Sequence, residues 1–168
     1  VGPDRDFDVD VGPLSSPAQK RKVDGIVNNA LAHGARLVAE SGPSHGMFHP
    51  IQVLESGDAP IAALHEEIFG PVIVLAKVRD EAEAVARAND SPYGLSASVW
   101  TRSTRRGRRV ASRLAVGSVT SNDHLMSHGM AETPWGGCKG SGFSRTHGEA
   151  GLAEMSRIRV TVVDRMHR

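Results

Sequence analysis

The chain has 168 residues, of which 39% are hydrophobic and 23% charged. This globular composition suits one ordinary domain or one piece of a larger one and does not fit a multidomain enzyme. No apolar run approaches the roughly 18 residues of a membrane helix, and Lys plus Arg (20) against Asp plus Glu (19) leave a formal charge of +1, so the pattern argues against a membrane span, a global nucleic-acid-binding field and an acidic tail.

The first predicted element follows Ser16-Pro17, an N-cap and first-turn pair, where Val23, Ile26, Val27, Ala30 and Leu31 recur at helical spacing until Gly34. Short strands are expected over 36–39 and 48–54, separated by the turn-rich stretch 41–46. Residues 72–76 form a continuous apolar run, as expected of a parallel strand covered on both faces. Asp80 with Glu83 reads as a capping box opening a helix through about Asn89, followed by a strand over 97–101. Ser103 starts a helix carrying Val110 and Leu114, Gly117 stops it, and 118–122 returns as a strand. This alternation predicts an α/β layer with right-handed crossovers and ligands beyond the carboxyl ends of its strands. Residues 123–143 contain five glycines and a proline without periodicity, a loop whose length and place point to function. A short helical turn over 145–153 follows, and 158–163 alternates as a terminal edge strand suited to pairing with another chain.

Glu66-Glu67-Ile68-Phe69-Gly70-Pro71 places adjacent carboxylates and an aromatic ahead of the apolar strand. They read either as a solvated turn or as partners for ribose hydroxyls and a planar cofactor ring. The Pro134–Gly142 stretch has the glycine density of a phosphate cradle but lacks both phosphate-loop spacings, so tight turns and close backbone approach explain it more simply. Cys138, the single cysteine, excludes an intramolecular disulfide and a cysteine zinc cluster and favours a reducing, cytoplasmic compartment. Next to Lys139 it is an activated thiol or, with no base identifiable, a packed one. His124 and His128 lie four apart but in a loop, without a third ligand, so they face a substrate pocket rather than a metal. Arg102, Arg105, Arg106, Arg108, Arg109 and Arg113 form the one basic cluster. It reads as a solvated helix face with acidic neighbours in a larger assembly, the alternative being phosphates on RNA, DNA or a partner. Asn89-Asp90-Ser91 matches a glycosylation triplet, which without a secretory leader is a chance match, and the opening Val1-Gly2-Pro3 without initiator methionine suggests a truncated chain.

In order, Gly12-Pro13-Leu14, Glu66-Glu67-Ile68-Phe69-Gly70-Pro71-Val72, Ala88-Asn89-Asp90 with Tyr93-Gly94-Leu95, residues 117–122, Pro134-Trp135-Gly136-Gly137 with Lys139, Ser141 and Gly142, and Arg145 with Gly148, Gly151 and Leu152 resemble the C-terminal part of the NAD(P)-dependent aldehyde dehydrogenase superfamily. The resemblance implies the parallel-sheet α/β layer of that catalytic domain over 1–153, with a tail carrying an oligomerisation strand over 154–168. It implies aldehyde oxidation with NAD or NADP through a cysteine thiohemiacetal and thioester. Glu67 matches the glutamate on the nicotinamide ribose and Phe69 the aromatic beside it. Trp135 matches an aromatic wall of the aldehyde pocket, and 122–133, with His124, Met126 and His128, the variable loop that shapes substrate choice. Its wording is closest to members acting on small aliphatic or amino aldehydes. The nucleophilic cysteine and general-base glutamate are implied upstream, so the chain alone is expected to be inactive, or else to be a non-catalytic module. For the enzyme a homo-oligomer, dimer or tetramer, through the terminal strand is implied, and for the non-catalytic module association with full-length subunits through that strand; no metal, nucleic acid or membrane partner is expected. Ser144 and Thr146-His147 depart from the family's usual residues.

Overall fold

The computed structural model describes residues 1–3, 8–58, 60–124 and 126–164, and divides the chain into units Val1–Asp80 and Glu81–Arg168. In the first unit, helix α1 (Pro17–Ala32) begins where extended Ser16 accepts the Gln19 N–H on its Oγ at 3.1 Å, with Pro17 in the first turn, where it forfeits no helical hydrogen bond. Val23, Ile26, Val27 and Ala30 are buried with Leu54 and Ile61 in the core. Leu31, expected on the same face, is 38% exposed, so the buried stripe is narrower than the apolar pattern.

Strands β1 (Arg36–Glu40), β2 (Gln52–Glu55) and β3 (Val72–Leu75) form one sheet in that order, β1 antiparallel and β3 parallel to β2. The strand expected over 48–54 starts only at Gln52, because Phe48 exchanges backbone hydrogen bonds with His45 to close a tight turn. The expectation that 72–76 is covered on both faces is also corrected. Val72 and Val74 pack on the core, whereas Ile73 is 55% and Leu75 47% exposed, because α1 lies against one face only. Glu55 on β2 binds Lys77 and Arg36, each at 2.5 Å, and the Lys77 and then the Arg36 hydrogen bond hold its carboxyl down to about 2.

The second unit runs α2 (Glu81–Asn89), β4 (Tyr93–Gly94), β5 (Ser96–Val99), α3 (Thr104–Ala111), β6 (Ser118–Ser121), α4 (Met126–Gly129), β7 (Cys138–Lys139) and α5 (Gly148–Glu154). Strands β5 and β6 are parallel and joined through α3, as expected, and Ser103 caps α3 by accepting the Arg106 N–H. The β3–α2–β5–α3–β6 alternation is the expected α/β pattern, with parallel pairs within each unit, β3 on β2 and β5 on β6, while β4 pairs antiparallel with β7. The terminal strand expected over 158–163 is not formed. Ile158, Val160 and Val162 are 98%, 80% and 87% exposed, and no strand among the described residues offers them a ladder. A strand has no hydrogen-bonded identity without a partner edge.

The acidic neighbour of the arginine cluster lies within this chain rather than in a larger assembly: it is Glu81. Arg106, Arg109 and Arg113 reach its carboxylate at 2.9, 3.0 and 3.3 Å. The Arg109 and Arg106 hydrogen bonds lower its carboxyl to about 2 from an ordinary 4.5, and the same contact raises Arg109. A depressed folded-state pKa stabilises fully above the unfolded value and is lost as pH falls from about 4.5 towards 2. The melting temperature should therefore fall through that window, and Glu81→Gln should flatten part of the decline. A Glu81→Gln variant with the wild-type pH profile would show that the cluster contributes nothing. The exposure of these groups keeps the expected effect small.

Candidate functional site

Loop 66–71 is held from α1. Gln19, whose N–H is taken by the helix cap, donates its side-chain Nε2 to the carbonyls of Ile68 at 3.0 Å and Phe69 at 2.8 Å. A Cβ on Gly70 would meet Val23 Cγ2 at 2.7 Å, so glycine lets this loop lie directly on the helix. The result is a fixed loop with two outward groups. Glu67 is exposed and has no hydrogen-bond or ionic partner among the described residues, and Phe69 is 72% exposed with φ of 53°. A left-handed backbone at an aromatic residue costs energy and persists only where surrounding contacts impose it. Here the two carbonyl contacts to Gln19 do so. An unpaired carboxylate is an acceptor pair for vicinal hydroxyls, and an exposed ring offers a flat apolar face, so these side chains fit the ribose and ring of a dinucleotide.

In the second unit the carboxyl ends of parallel β5 and β6 carry a clamp. Asn122, at φ of 56°, accepts the Thr101 N–H on Oδ1 at 2.8 Å and donates Nδ2 to the Thr101 carbonyl at 2.9 Å. The Asp123 carbonyl accepts from both Ser98 and Thr120 hydroxyls, and Asp123 Oδ2 takes the Met126 N–H at 2.7 Å, opening α4. The stretch that follows presents His124, Met126 and His128 to solvent, Met126 at 60% exposure. His128 lies against the half-buried Trp135 with ring centroids 4.7 Å apart, and 5.9 Å from His147. Trp135 is itself fixed by reciprocal backbone bonds with Thr146, both 2.8 Å. The structure thus brings His128 and Trp135 together, while no ring contact joins His124 to them.

The Pro134–Gly142 stretch is a staple built on backbone groups. Lys139 donates Nζ to the carbonyls of Asn89 at 2.9 Å and Ser91 at 3.1 Å, Ser141 Oγ accepts the Gly94 N–H at 3.0 Å, and Cys138 Sγ donates to the Ala115 carbonyl at 3.1 Å. Its cation is spent on carbonyls and its thiol is packed, so both the phosphate and the nucleophile readings lose their groups. The glycines serve close approach: a Cβ on Gly117 would stand 1.7 Å from the Gly136 oxygen. Asn89, inside the glycosylation-like triplet, uses its whole carboxamide on the Arg113 carbonyl and the Ala115 N–H.

Sequence reasoning missed Gln19, Asn89 and Asn122 as positioning residues. A carboxamide bonding distant backbone leaves no periodicity or spacing; only the Asn at a strand end with a following Asp hinted at a turn. Among the described residues no group of three or more His, Cys, Asp and Glu side chains is placed to hold a metal ion, and no helix is long and apolar enough to cross a membrane.

Comparison with known proteins adds a common origin to this geometry. Residues 1–161 match the profile of the aldehyde dehydrogenase family. A putative NADP-dependent succinate-semialdehyde dehydrogenase 2 of Mycobacterium tuberculosis is 38% identical over 99% of this chain and 33% of its own length. The corresponding NADP-dependent enzyme of Deinococcus radiodurans is 43% identical over 87% of this chain and 31% of its own length. A crystal structure of a Mycobacterium tuberculosis aldehyde dehydrogenase complexed with NAD+ superposes with a TM-score of 0.84 at 33% identity, over 93% of this chain and 32% of that one. The chain therefore spans about a third of the length of the relatives it matches.

Proposed function

Since the chain belongs to the aldehyde dehydrogenase family, we propose that it is the C-terminal portion of the catalytic domain, 1–153, with an oligomerisation tail over 154–168, of an enzyme that oxidises a small aldehyde to its acid with NAD(P)+. The observation that carries this reading is the exposed, partnerless Glu67 beside Phe69 on a loop fixed by Gln19. Bound NAD(P)+ supplies the hydride acceptor. Glu67 holds ribose hydroxyls and Phe69 packs beside the ring, so both place the cofactor and neither transfers a proton or hydride. Trp135 and His128, with His124 and Met126, wall the aldehyde. Cys138 is not assigned as the nucleophile: it stands at the variable position between Gly137 and Lys139 of the family string, and its donation to the Ala115 carbonyl supports that reading. The thiol that attacks the aldehyde, and the base for hydrolysis, belong to another segment of the enzyme.

The names of the relatives point to small aldehydes, succinate semialdehyde first. The solvent-exposed 158–163 segment favours a homo-oligomer in which it completes a neighbour's sheet, and the single cysteine favours a reducing, cytoplasmic setting. The test is aldehyde-dependent NAD(P)H formation at 340 nm by this chain and by the protein of the uninterrupted reading frame. Activity is expected in the longer protein alone. Activity in neither overturns the enzyme reading and leaves a non-catalytic module that associates through its tail.

In the active protein, Trp135→Ala should change the ratio of kcat/KM between a small aliphatic and an aromatic aldehyde by roughly tenfold or more while altering the KM for NAD(P)+ by less than about twofold. The reverse pattern would place Trp135 at the cofactor instead.

A further inference from the structure

We propose that Asn122 is a positioning residue that aims the 123–133 loop, and that its carboxamide, rather than its backbone conformation, sets how that loop meets an aldehyde; this rests on the reading of the loop as the aldehyde wall. Parallel β5 and β6 separate at their carboxyl ends, where the chain leaves β5 for α3 and β6 for the loop. There the ladder bond from the Asn122 N–H to the Val99 carbonyl, 2.9 Å, is the last of its kind. The Asn122 side chain extends the pairing by one residue, presenting an acceptor and a donor to Thr101 as a peptide group would, at 2.8 and 2.9 Å. Thr101 is in turn tied to the start of α3, its Oγ1 accepting the Ser103 N–H at 3.2 Å. The loop root is therefore locked to the β5–α3 corner.

The lock is passed on by the next residue. With Asn122 in the left-handed region, the Asp123 carbonyl turns back over the sheet to take both the Ser98 and Thr120 hydroxyls, and the Asp123 carboxylate caps α4 through the Met126 N–H. Helix α4 carries His128, which lies on Trp135. The far end of the loop is held by backbone bonds, Gly148 N–H to the Ala131 carbonyl at 2.8 Å and the Trp135–Thr146 pair. Those survive any side-chain change nearby. The near end has one backbone bond, Asn122 N–H to the Val99 carbonyl, and otherwise rests on side chains, the Asn122 carboxamide, the Ser98 and Thr120 hydroxyls and the Asp123 carboxylate, so it is the end at which a side-chain substitution re-aims the loop.

Three variants separate side chain from backbone. Asn122→Ala removes the carboxamide and disfavours the backbone, Asn122→Gly removes the carboxamide but keeps φ accessible, and Asn122→Asp keeps the acceptor for the Thr101 N–H while losing the donor. In the full-length protein the Ala and Gly variants should both raise the aldehyde KM by about tenfold, leave the KM for NAD(P)+ within about twofold, and shift preference between aliphatic and aromatic aldehydes, with Asn122→Asp partly restored. Hydrogen exchange at the Met126 amide, which Asn122 does not touch, should speed up by about tenfold in the Ala and Gly variants. A Gly variant indistinguishable from wild type in KM and exchange would assign the effect to backbone freedom and overturn the proposal. So would uniform losses on every aldehyde and on NAD(P)+ with a lowered melting temperature, the mark of a merely structural residue. If the wild-type protein oxidises no aldehyde, the enzyme reading fails on its own, and unchanged Met126 exchange still rejects the aiming role.

Discussion

Gly117→Ala is expected to destabilise the second unit by at least about 3 kcal/mol, beyond the usual range for one added methyl group in a packed site. The added Cβ would stand 1.7 Å from the Gly136 carbonyl oxygen and 2.7 Å from its carbon, whereas a carbon and an oxygen need roughly 3.3 Å. The opposing atoms are backbone, so no rotamer change relieves the contact. Gly136 cannot retreat either, because a Cβ at Gly136 itself would lie 2.3 Å from the Ser144 oxygen, which shows how closely that segment is backed. Thermal or urea unfolding measures the effect, with a fall in melting temperature of roughly 6–12 °C expected for a chain of this size. A drop of less than about 2 °C would mean that the 117 and 136 backbones do not approach as described.

Glu67→Gln in the active protein is the second large effect. The substitution keeps shape and removes the charge that makes an acceptor of hydroxyl hydrogen bonds strong, an interaction worth about 1.5–3 kcal/mol. Aldehyde oxidation should slow roughly tenfold to a hundredfold, while hydrolysis of an activated ester, which needs a nucleophile but no hydride acceptor, stays within about twofold. Equal loss in both reactions would make Glu67 a structural residue. Because Glu67 has no partner among the described residues, its removal should leave the melting temperature unchanged, which separates the two explanations.

The elements with strong local signals were legible. Ser16-Pro17 with apolar residues at helical spacing specified α1, and Ser103 specified the start of α3, although that helix ends at Ala111 with Ser112 as its C-cap rather than running past Leu114 to Gly117. These signals work because capping and amphipathic burial are settled within a few residues of chain. The family was legible as well, in the order of the strings that hold Glu67, Phe69 and Trp135. Less legible was what those strings do physically. The Pro134–Gly142 glycines signal tight turns and close backbone approach, as the structure has them, but not that Lys139 there holds the chain's own carbonyls.

The sequence by itself determined α1, α2, the start of α3, the strands β1 to β3, β5 and β6, the family and the identity of the outward side chains on the 66–71 loop, but not β4, α4 or β7, the last two lying in the stretch expected to be a loop. Tertiary structure alone decided that Gln19 holds that loop, that Asn122 bridges β5 to β6, that three arginines spend their charge on Glu81, and that Ile73 and Leu75 face outward. It also left 158–163 without a ladder. The reason is common to all of them. Capping and periodicity are properties of neighbours along the chain, whereas a carboxamide, a guanidinium or a strand edge acquires its role from a partner 20 or more residues away, as in Gln19 with Phe69 or Asn122 with Thr101.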